Sequence, residues 1–187
     1  KLNNKYKFRI SKNSKKIINQ DIVILLSYTK ILPESFLQKN SLVLVVHPSK
    51  LPRDKGFAPV QYQILKNSRK IYISLIKATK KVDAGPIYFQ SSFRLNGTEL
   101  YDEIRKKQAA QLLKIIKKFL TKYPNIKSKK QMGKGNFNKR RYPKDSQLNI
   151  NKTIKQQFNH LRINDNELYP SFFYYKDQKY IIKVFKE

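Results

Sequence analysis

Two unbroken apolar runs constrain the fold of this chain more than any other feature. Ile22 to Leu26 and Leu42 to Val46 each hold five consecutive aliphatic residues, without the alternation of a strand that has one face in water. Runs of this kind are typical of strands buried on both faces, as in a parallel sheet covered by helices. They are far shorter than the roughly 20 residues of a membrane-spanning helix. The runs therefore predict a soluble α/β protein with a predominantly parallel sheet.

The rest of the chain divides into further elements and one change of composition. The spacing of apolar residues predicts four helices, over 33–39, over 58–65, from an N-cap at Thr98 to about 122, and over 152–161. It also predicts strands over 71–76, 87–90, 171–175 and 179–185. Residues 127–144 are basic, contain two glycines and hold almost no aliphatic residue, which is typical of a loop or linker. We therefore predict a core over 1–126 and a small α+β extension over 127–187, with a basic loop, a short helix and a β-hairpin.

The charge balance is strongly basic. The chain of 187 residues has 41 Lys and Arg against 12 Asp and Glu, a net charge of +29. Because the lysines are scattered through every segment, a solvated basic surface is favoured over a polynucleotide-binding role or attraction for a small anionic substrate. The sequence has no cysteine and only two histidines, which excludes disulfides and argues against a metal site. A cytoplasmic location is expected, since no signal peptide is visible.

Few residues can carry acid or base chemistry. Most carboxylates lie in predicted helix starts or turns, but Asp83 precedes Ala-Gly-Pro at a turn between two apolar strands, where burial of a carboxylate is costly without a partner. His47 ends its strand at the edge where open α/β sheets bind their ligands. These positions suggest a functional pair, with a hydrogen-bonded structural histidine as the alternative. His160 is interpreted as structural or exposed.

Four segments carry a resemblance to a known family. They are HPSKLPRDKGFAPVQYQIL from His47, KKVDAGPIYFQ from Lys80, LSYTKILPE from Leu26 and the stretch from Arg140 to Phe173. Together they resemble the folate-dependent formyltransferases, the methionyl-tRNA formyltransferase-like family, and in particular its sugar N-formyltransferase branch. The resemblance implies a Rossmann-like formyltransferase core and 10-formyltetrahydrofolate as the co-substrate.

The resemblance also implies roles for individual residues. His47 and Asp83 match the catalytic histidine and aspartate. The folate-binding positions are matched by Leu32, Pro33, Lys55, Gly56 and Gly85. Arg140 and Arg141 are expected to meet the phosphates of the second substrate, because guanidinium groups match phosphate geometry. The alternative is a solvated basic loop.

The sequence departs from the family pattern at two places. Val45 stands where familiar members have an asparagine that binds the formyl oxygen, and the family begins with a further strand and helix that this chain is expected to lack. The resemblance implies a nucleotide-linked amino sugar as acceptor. Aminoacyl-tRNA and a noncatalytic nucleic-acid-binding fragment are the alternatives, although a nucleic-acid partner is not favoured. A homodimer is left open.

Overall fold

The computed structural model describes residues 5–187 and has a four-stranded sheet at its centre. The strands and helices are, in chain order, β1 (Ile22–Leu25), α1 (Glu34–Gln38), β2 (Leu42–His47), β3 (Lys55–Gly56), α2 (Pro59–Leu65), β4 (Lys70–Lys77), β5 (Ile87–Arg94), α3 (Tyr101–Lys122), β6 (Phe137–Asn138), α4 (Ile154–Arg162), β7 (Ser171–Tyr175) and β8 (Gln178–Ile182). Both apolar runs form strands, as β-branched and aliphatic residues favour a covered, pleated backbone. In the described part of the chain, no helix is both long and apolar enough to cross a membrane.

The central sheet has the order β1-β2-β4-β5 and is mixed. β1 and β2 are parallel, with Leu25 opposite Val45. β4 is antiparallel to β2, and β5 is antiparallel to β4. The α/β class is therefore confirmed, whereas the expected parallel pairing holds for the first pair of strands and is corrected for the other two.

The reason for this difference lies in how the sheet is covered. One face packs against α3 through a cluster of buried residues: Leu42, Leu44, Val46, Ile73, Leu75, Leu112, Ile115, Phe119 and Leu120. The other face of β4 lies under α2 and the loop that follows β2, where Ser74 and Ile76 are buried. An antiparallel strand covered on both faces has the same unbroken apolar pattern as a parallel one, so the pattern reports burial and not direction.

Residues beyond 127 pack directly on the core. Ile163, just after α4, joins a buried cluster with Val60 and Ile64 of α2 and Ile71 of β4. Further on, Lys176 and Asp177 both have positive φ and connect β7 to β8 as a two-residue turn, the tight hairpin connection that matches strand twist. The division at residue 126 is not tested by these contacts and stays a prediction.

The start of α3 differs from the predicted Thr98 cap. Leu100 is the N-cap residue, and the Glu103 carboxylate accepts its main-chain N–H at 2.9 Å. Glu99 lies before the helix, where its buried carboxylate accepts the N–H groups of Asn96 and Gly97. The carboxylate of Glu99 therefore closes the preceding turn in place of a hydroxyl cap at Thr98.

Candidate active site

The sheet topology brings two loops to one edge. Because β1 and β2 are parallel, the loop that follows β1 and the end of β2 at His47 lie at the same edge of the sheet. Open α/β sheets bind ligands at this carboxyl edge. The site is therefore built from the loop 26–33, the loop 48–54 and any segment that reaches them.

Buried polar contacts hold the loop after His47 in place. Ser74 lies opposite His47 in the sheet, and its hydroxyl donates to the carbonyl of Ser49 at 2.6 Å. The amide of Gln90, on β5, donates to the Ser74 hydroxyl and to the carbonyl of Leu51. These contacts satisfy polar groups that would be costly to bury unpaired. The sheet therefore fixes the first turn of the loop that leaves His47.

His47 and Asp83 meet, as the sequence predicted. The Nδ1 atom of His47 lies 3.4 Å from Oδ1 of Asp83, and their side chains are only 7% and 10% exposed. The other oxygen of Asp83 accepts the main-chain N–H of Gly56 at 2.8 Å. The carboxylate is thus buried with a partner at each oxygen, which is the condition for tolerating it there.

The contacts of the His47 ring restrict its protons. Nε2 lies 2.9 Å from the main-chain carbonyl of Asp54, and a carbonyl only accepts hydrogen bonds. Nε2 therefore carries a proton in this contact. Nδ1 is the ring nitrogen that faces the Asp83 carboxylate.

The side chain of Asp54 is fixed by two polar partners. Its carboxylate contacts the ammonium group of Lys66 and the amide of Asn136. Burial on its own would raise the pKa of Asp54, but the hydrogen bonds from Lys66 and Asn136 and the charge of Lys66 lower it below the ordinary value. The charged form is therefore favoured, which keeps the loop and its carbonyl in place.

Three non-glycine residues of this region have a positive φ. Asp54, Ala58 and Asp83 have φ values of 56°, 47° and 49° in the left-handed region. Each such residue costs on the order of 1 kcal/mol or more unless its surroundings hold it there. Such strain is typical of residues placed for function.

Two of the predicted folate-binding glycines are explained by close backbone approaches. A Cβ atom on Gly85 would lie 1.7 Å from the carbonyl oxygen of Lys77, and one on Gly56 would lie 2.7 Å from that of Asn138. Gly56 also has φ of +84°, which favours glycine. Gly85 lets the Asp83 turn close onto the end of β4, while Gly56 presents its N–H to Asp83.

The other predicted folate-binding residues lie around the same edge. Leu32 is partly buried against the cluster of Val23, Phe36 and Val43, and Pro33 is exposed as the N-cap of α1. The backbone of Lys55 pairs with β6. The loop that contains Leu32 also exposes three large apolar side chains, of Leu26, Tyr28 and Ile31. They offer apolar surface for a flat ring system.

Val45 lies on the same sheet face as His47, two residues before it, and is partly exposed. Its side chain has no hydrogen-bond donor. A donor for a substrate oxygen at this position therefore has to come from His47, a main-chain N–H or another segment.

The two arginines predicted to bind substrate differ in their surroundings. The guanidinium of Arg140 lies 5.7 Å from the ring centre of Phe57 and 5.9 Å from that of Tyr142, and no hydrogen bond links it to the described residues. Phe57 directly follows Gly56, whose N–H binds Asp83, so the aromatic contact of Arg140 is one residue along the chain from that hydrogen bond. Arg141 instead donates to the carbonyl of Asp145 at 2.7 Å.

Arg141 shares that carbonyl with His160. Nε2 of His160 lies 2.6 Å from the same oxygen, in agreement with the structural role predicted for this histidine. Burial is the main cause that lowers the pKa of both side chains, although Asp145 opposes it. These contacts support a structural role for Arg141 and leave Arg140 as the arginine available to a ligand.

The sequence did not reveal three polar residues near the pair. Asp54 supplies the carbonyl for His47, Gln131 donates to the main-chain oxygens of Asp83 and Gly85, and Asn136 binds the backbone of Asp54. Gln131 and Asn136 lie in the basic segment that resembles a linker. The only local signal was the pair of glycines at 133 and 135, which marks a chain that turns or approaches another backbone.

Comparison with known proteins identifies the family. The profile described as formyl transferase matches residues 4–120, well over half of the chain. The chain is 31% identical over 119 residues to the methionyl-tRNA formyltransferase of Rickettsia massiliae (strain Mtu5), a match that covers 63% of this chain and 39% of that protein. This chain therefore belongs to the formyl transferase family.

Solved structures agree on the fold. The methionyl-tRNA formyltransferase from Clostridium thermocellum has a TM-score of 0.75 and 24% identity, over 85% of this chain and 69% of that one. A 4-N formyltransferase from Francisella tularensis has a TM-score of 0.68 and 20% identity, over 94% of this chain and 75% of that one. The chain spans about 39% of the length of the first curated relatives that it matches.

Proposed function

We propose that this chain is the catalytic part of an N-formyltransferase, with His47 and Asp83 as its catalytic residues. The observation that carries the proposal is the buried pair at the carboxyl edge of the sheet, in a chain of the formyl transferase family. In formyl transfer an amine attacks the formyl carbon and loses a proton, while the bond to the donor nitrogen breaks and that nitrogen gains one. The pair is suited to moving this proton.

The donor that we propose is 10-formyltetrahydrofolate, which supplies the formyl group on N10. The fit rests on the exposed apolar side chains of the loop 26–33, which lies at the same edge as His47. Leu32 and Pro33 would border the ring system, and Lys55 and Gly56 would face the donor from the loop after His47. Gly85 would act indirectly, by allowing the Asp83 turn to close.

The acceptor that we propose is the amine of a nucleotide-linked amino sugar. In its favour, the 4-N formyltransferase structure covers 94% of this chain, whereas the methionyl-tRNA formyltransferase structure covers 85%. Arg140 would bind the phosphates, since its guanidinium is held by two rings and has no partner among the described residues. Methionyl-tRNA is the second candidate, favoured by the higher TM-score and by the curated relatives.

The test is an activity assay with 10-formyltetrahydrofolate and both acceptor classes. His47→Ala is expected to lower kcat by about 100-fold or more, the usual contribution of a general acid or base, and Asp83→Asn is expected to lower it as well. His160→Ala is the matched control and should keep the wild-type kcat. Equal kcat values in the wild type and the His47 and Asp83 variants would refute the catalytic assignment.

A second pair of variants tests the acceptor site. Arg140→Ala should raise the KM for a nucleotide-linked amino sugar about 10-fold, while Lys139→Ala, one residue earlier and exposed, should leave it unchanged. Turnover of methionyl-tRNA without turnover of any amino sugar would replace the proposed acceptor by the second candidate. Binding of a random oligonucleotide with a steep salt dependence, together with no folate binding, would favour the noncatalytic alternative.

A further inference from the structure

The basic segment 129–138, which we call the strap, links the two segments that carry the catalytic pair. At its start, Lys129 exchanges two main-chain hydrogen bonds with Ile87, just after the Asp83 turn, at 2.7 and 2.8 Å. At its end, β6 pairs with β3, so that Asn138 lies opposite Gly56. The strap therefore joins the Asp83 turn to the loop that follows His47.

Gln131 holds the Asp83 turn. Its Nε2 atom donates to the main-chain oxygens of Asp83 and Gly85, both at 2.8 Å. The orientation of this amide is fixed, because a flipped group would set its oxygen against two other oxygens. Since Asp83 has positive φ and its side chain faces His47, a partner that fixes its carbonyl also fixes the direction of the carboxylate.

Asn136 binds the backbone segment that contacts Nε2 of the His47 ring. Its Oδ1 accepts the main-chain N–H of Asp54 at 3.0 Å, and its own carbonyl accepts that of Lys55 at 3.0 Å. The carbonyl of Asp54 is the oxygen that His47 Nε2 contacts. Asn136 therefore places the group that determines which ring nitrogen carries a proton.

The strap contributes little to the apolar core. Met132 and Phe137 are exposed, and its other residues are polar, charged or glycine. Its contacts are concentrated on the two segments around His47, and they are close: a Cβ atom on Gly135 would lie 2.6 Å from the carbonyl oxygen of Pro52. Such polar, backbone-directed contacts set geometry more than they bury surface.

We propose that Gln131 and Asn136 are positioning residues, which hold Asp83 and the Asp54 carbonyl at the two nitrogens of the His47 ring. This inference rests on the proposed function for its effect on turnover, but not for its effect on the ring. A histidine ring held by a partner at each nitrogen keeps one tautomer and one orientation. The strap therefore belongs to the active site, although it touches no reacting atom.

The test compares Gln131→Met and Asn136→Ala with two controls in the full 187-residue chain. Methionine keeps the length of glutamine without its donor. The controls are Gln178→Met in the hairpin and Asn125→Ala after α3, two exposed residues with no side-chain hydrogen bond to the described residues. The measurements are the ring ¹⁵N signals of His47, with His160 as internal reference, and kcat and KM for formyl transfer.

We expect Gln131→Met to move the Nδ1 signal of His47 and Asn136→Ala to move its Nε2 signal, with the His160 signals unchanged. Both variants should lower kcat by about 10-fold or more with KM within about 2-fold, as small displacements of a reacting group have large effects. Neither control should change these values. Unchanged His47 signals in both folded variants would overturn the inference, whatever the activity of the wild type.

The outcomes separate this inference from the proposed function. If the wild type transfers no formyl group but the two variants move the His47 signals as expected, the positioning role stands and the proposed function fails. If the wild type transfers formyl and neither variant changes kcat or the signals, the proposed function stands and the positioning role fails. Urea unfolding of each variant confirms that the comparison is between folded proteins.

Discussion

The carboxylate of Glu99 is the charged group whose loss should most clearly change the stability of this fold. Its side chain is only 4% exposed, contacts the ammonium of Lys107 and lies 3.9 Å from Nη1 of Arg162. Burial on its own would raise its pKa, but the hydrogen bonds from Lys107 and from three main-chain N–H groups lower the pKa of Glu99 to about 2, from 4.5. The perturbation is Glu99→Gln, which keeps the size and removes the charge.

The expected magnitude follows from that difference. At roughly 1.4 kcal/mol per pKa unit, the shift from 4.5 to about 2 corresponds to about 3 kcal/mol. Lys107 is 41% exposed, so solvent screens part of its attraction. We therefore expect Glu99→Gln to lower the free energy of unfolding at pH 7 by about 1 to 3 kcal/mol.

The sign of the pH dependence follows from the lowered pKa. The stabilising contribution is fully present above pH 4.5, the unfolded value, and is lost as the pH falls towards 2. The difference in unfolding free energy between the wild type and Glu99→Gln should therefore shrink over this range. Titrating groups that do not sense Glu99 are common to both proteins and cancel in the difference; Glu103, whose pKa the charge of Glu99 raises, contributes only a minor residual.

The assay is urea unfolding between pH 7 and pH 2.5, followed by the fluorescence of the 12 tyrosines, as the chain has no tryptophan. Glu167→Gln is the matched control. Glu167 also pairs with a lysine, but its side chain is 73% exposed, so its replacement should change stability by less than about 0.5 kcal/mol. A wild-type minus Glu99→Gln difference that stays constant with pH would refute the reasoning.

Two further predictions concern the closure of the site and the core. Gly85→Ala should lower kcat and destabilise the chain by more than about 2 kcal/mol, because the new Cβ atom would lie 1.7 Å from the carbonyl oxygen of Lys77. Ala84→Gly is the control. A wild-type kcat and a wild-type urea midpoint for Gly85→Ala would contradict the close approach. Phe119→Ala should lower the free energy of unfolding in urea by about 3 to 5 kcal/mol, since the ring is fully buried and packs edge-on against Tyr88 with the ring centres 5.0 Å apart. A decrease below about 1 kcal/mol would show that the surrounding residues collapse into the space that the ring leaves.

The pair of His47 and Asp83 was the part of the candidate site most open to prediction. The chain has few carboxylates and histidines for acid or base chemistry, and of these His47 ends an apolar strand and Asp83 stands in the turn between two apolar strands. The sequence predicted that these two residues, 36 positions apart, would meet, and the fold forms the contact by bringing the turn after β4 against the loop after β2. Arg140 and Arg141 looked alike in sequence, and only their surroundings separate them.

The strap was beyond prediction for a physical reason. Gln131 contacts Asp83 across 48 positions and Asn136 contacts Asp54 across 82. Neither residue belongs to a periodic apolar pattern, and polar loop residues have similar local preferences whether they bind solvent or a distant carbonyl. Their role depends on the path of the chain over the core.

Local chemistry determined much of the secondary structure. Runs of β-branched residues formed strands, and apolar residues spaced by three and four positions formed α3, because these preferences act between residues within one or two turns. The tertiary structure decided the direction of β4 and β5, the role of Glu99 and the partners of the His47 ring. Those features depend on which covered faces and backbone groups meet over tens of residues, and burial patterns along the chain do not record that choice.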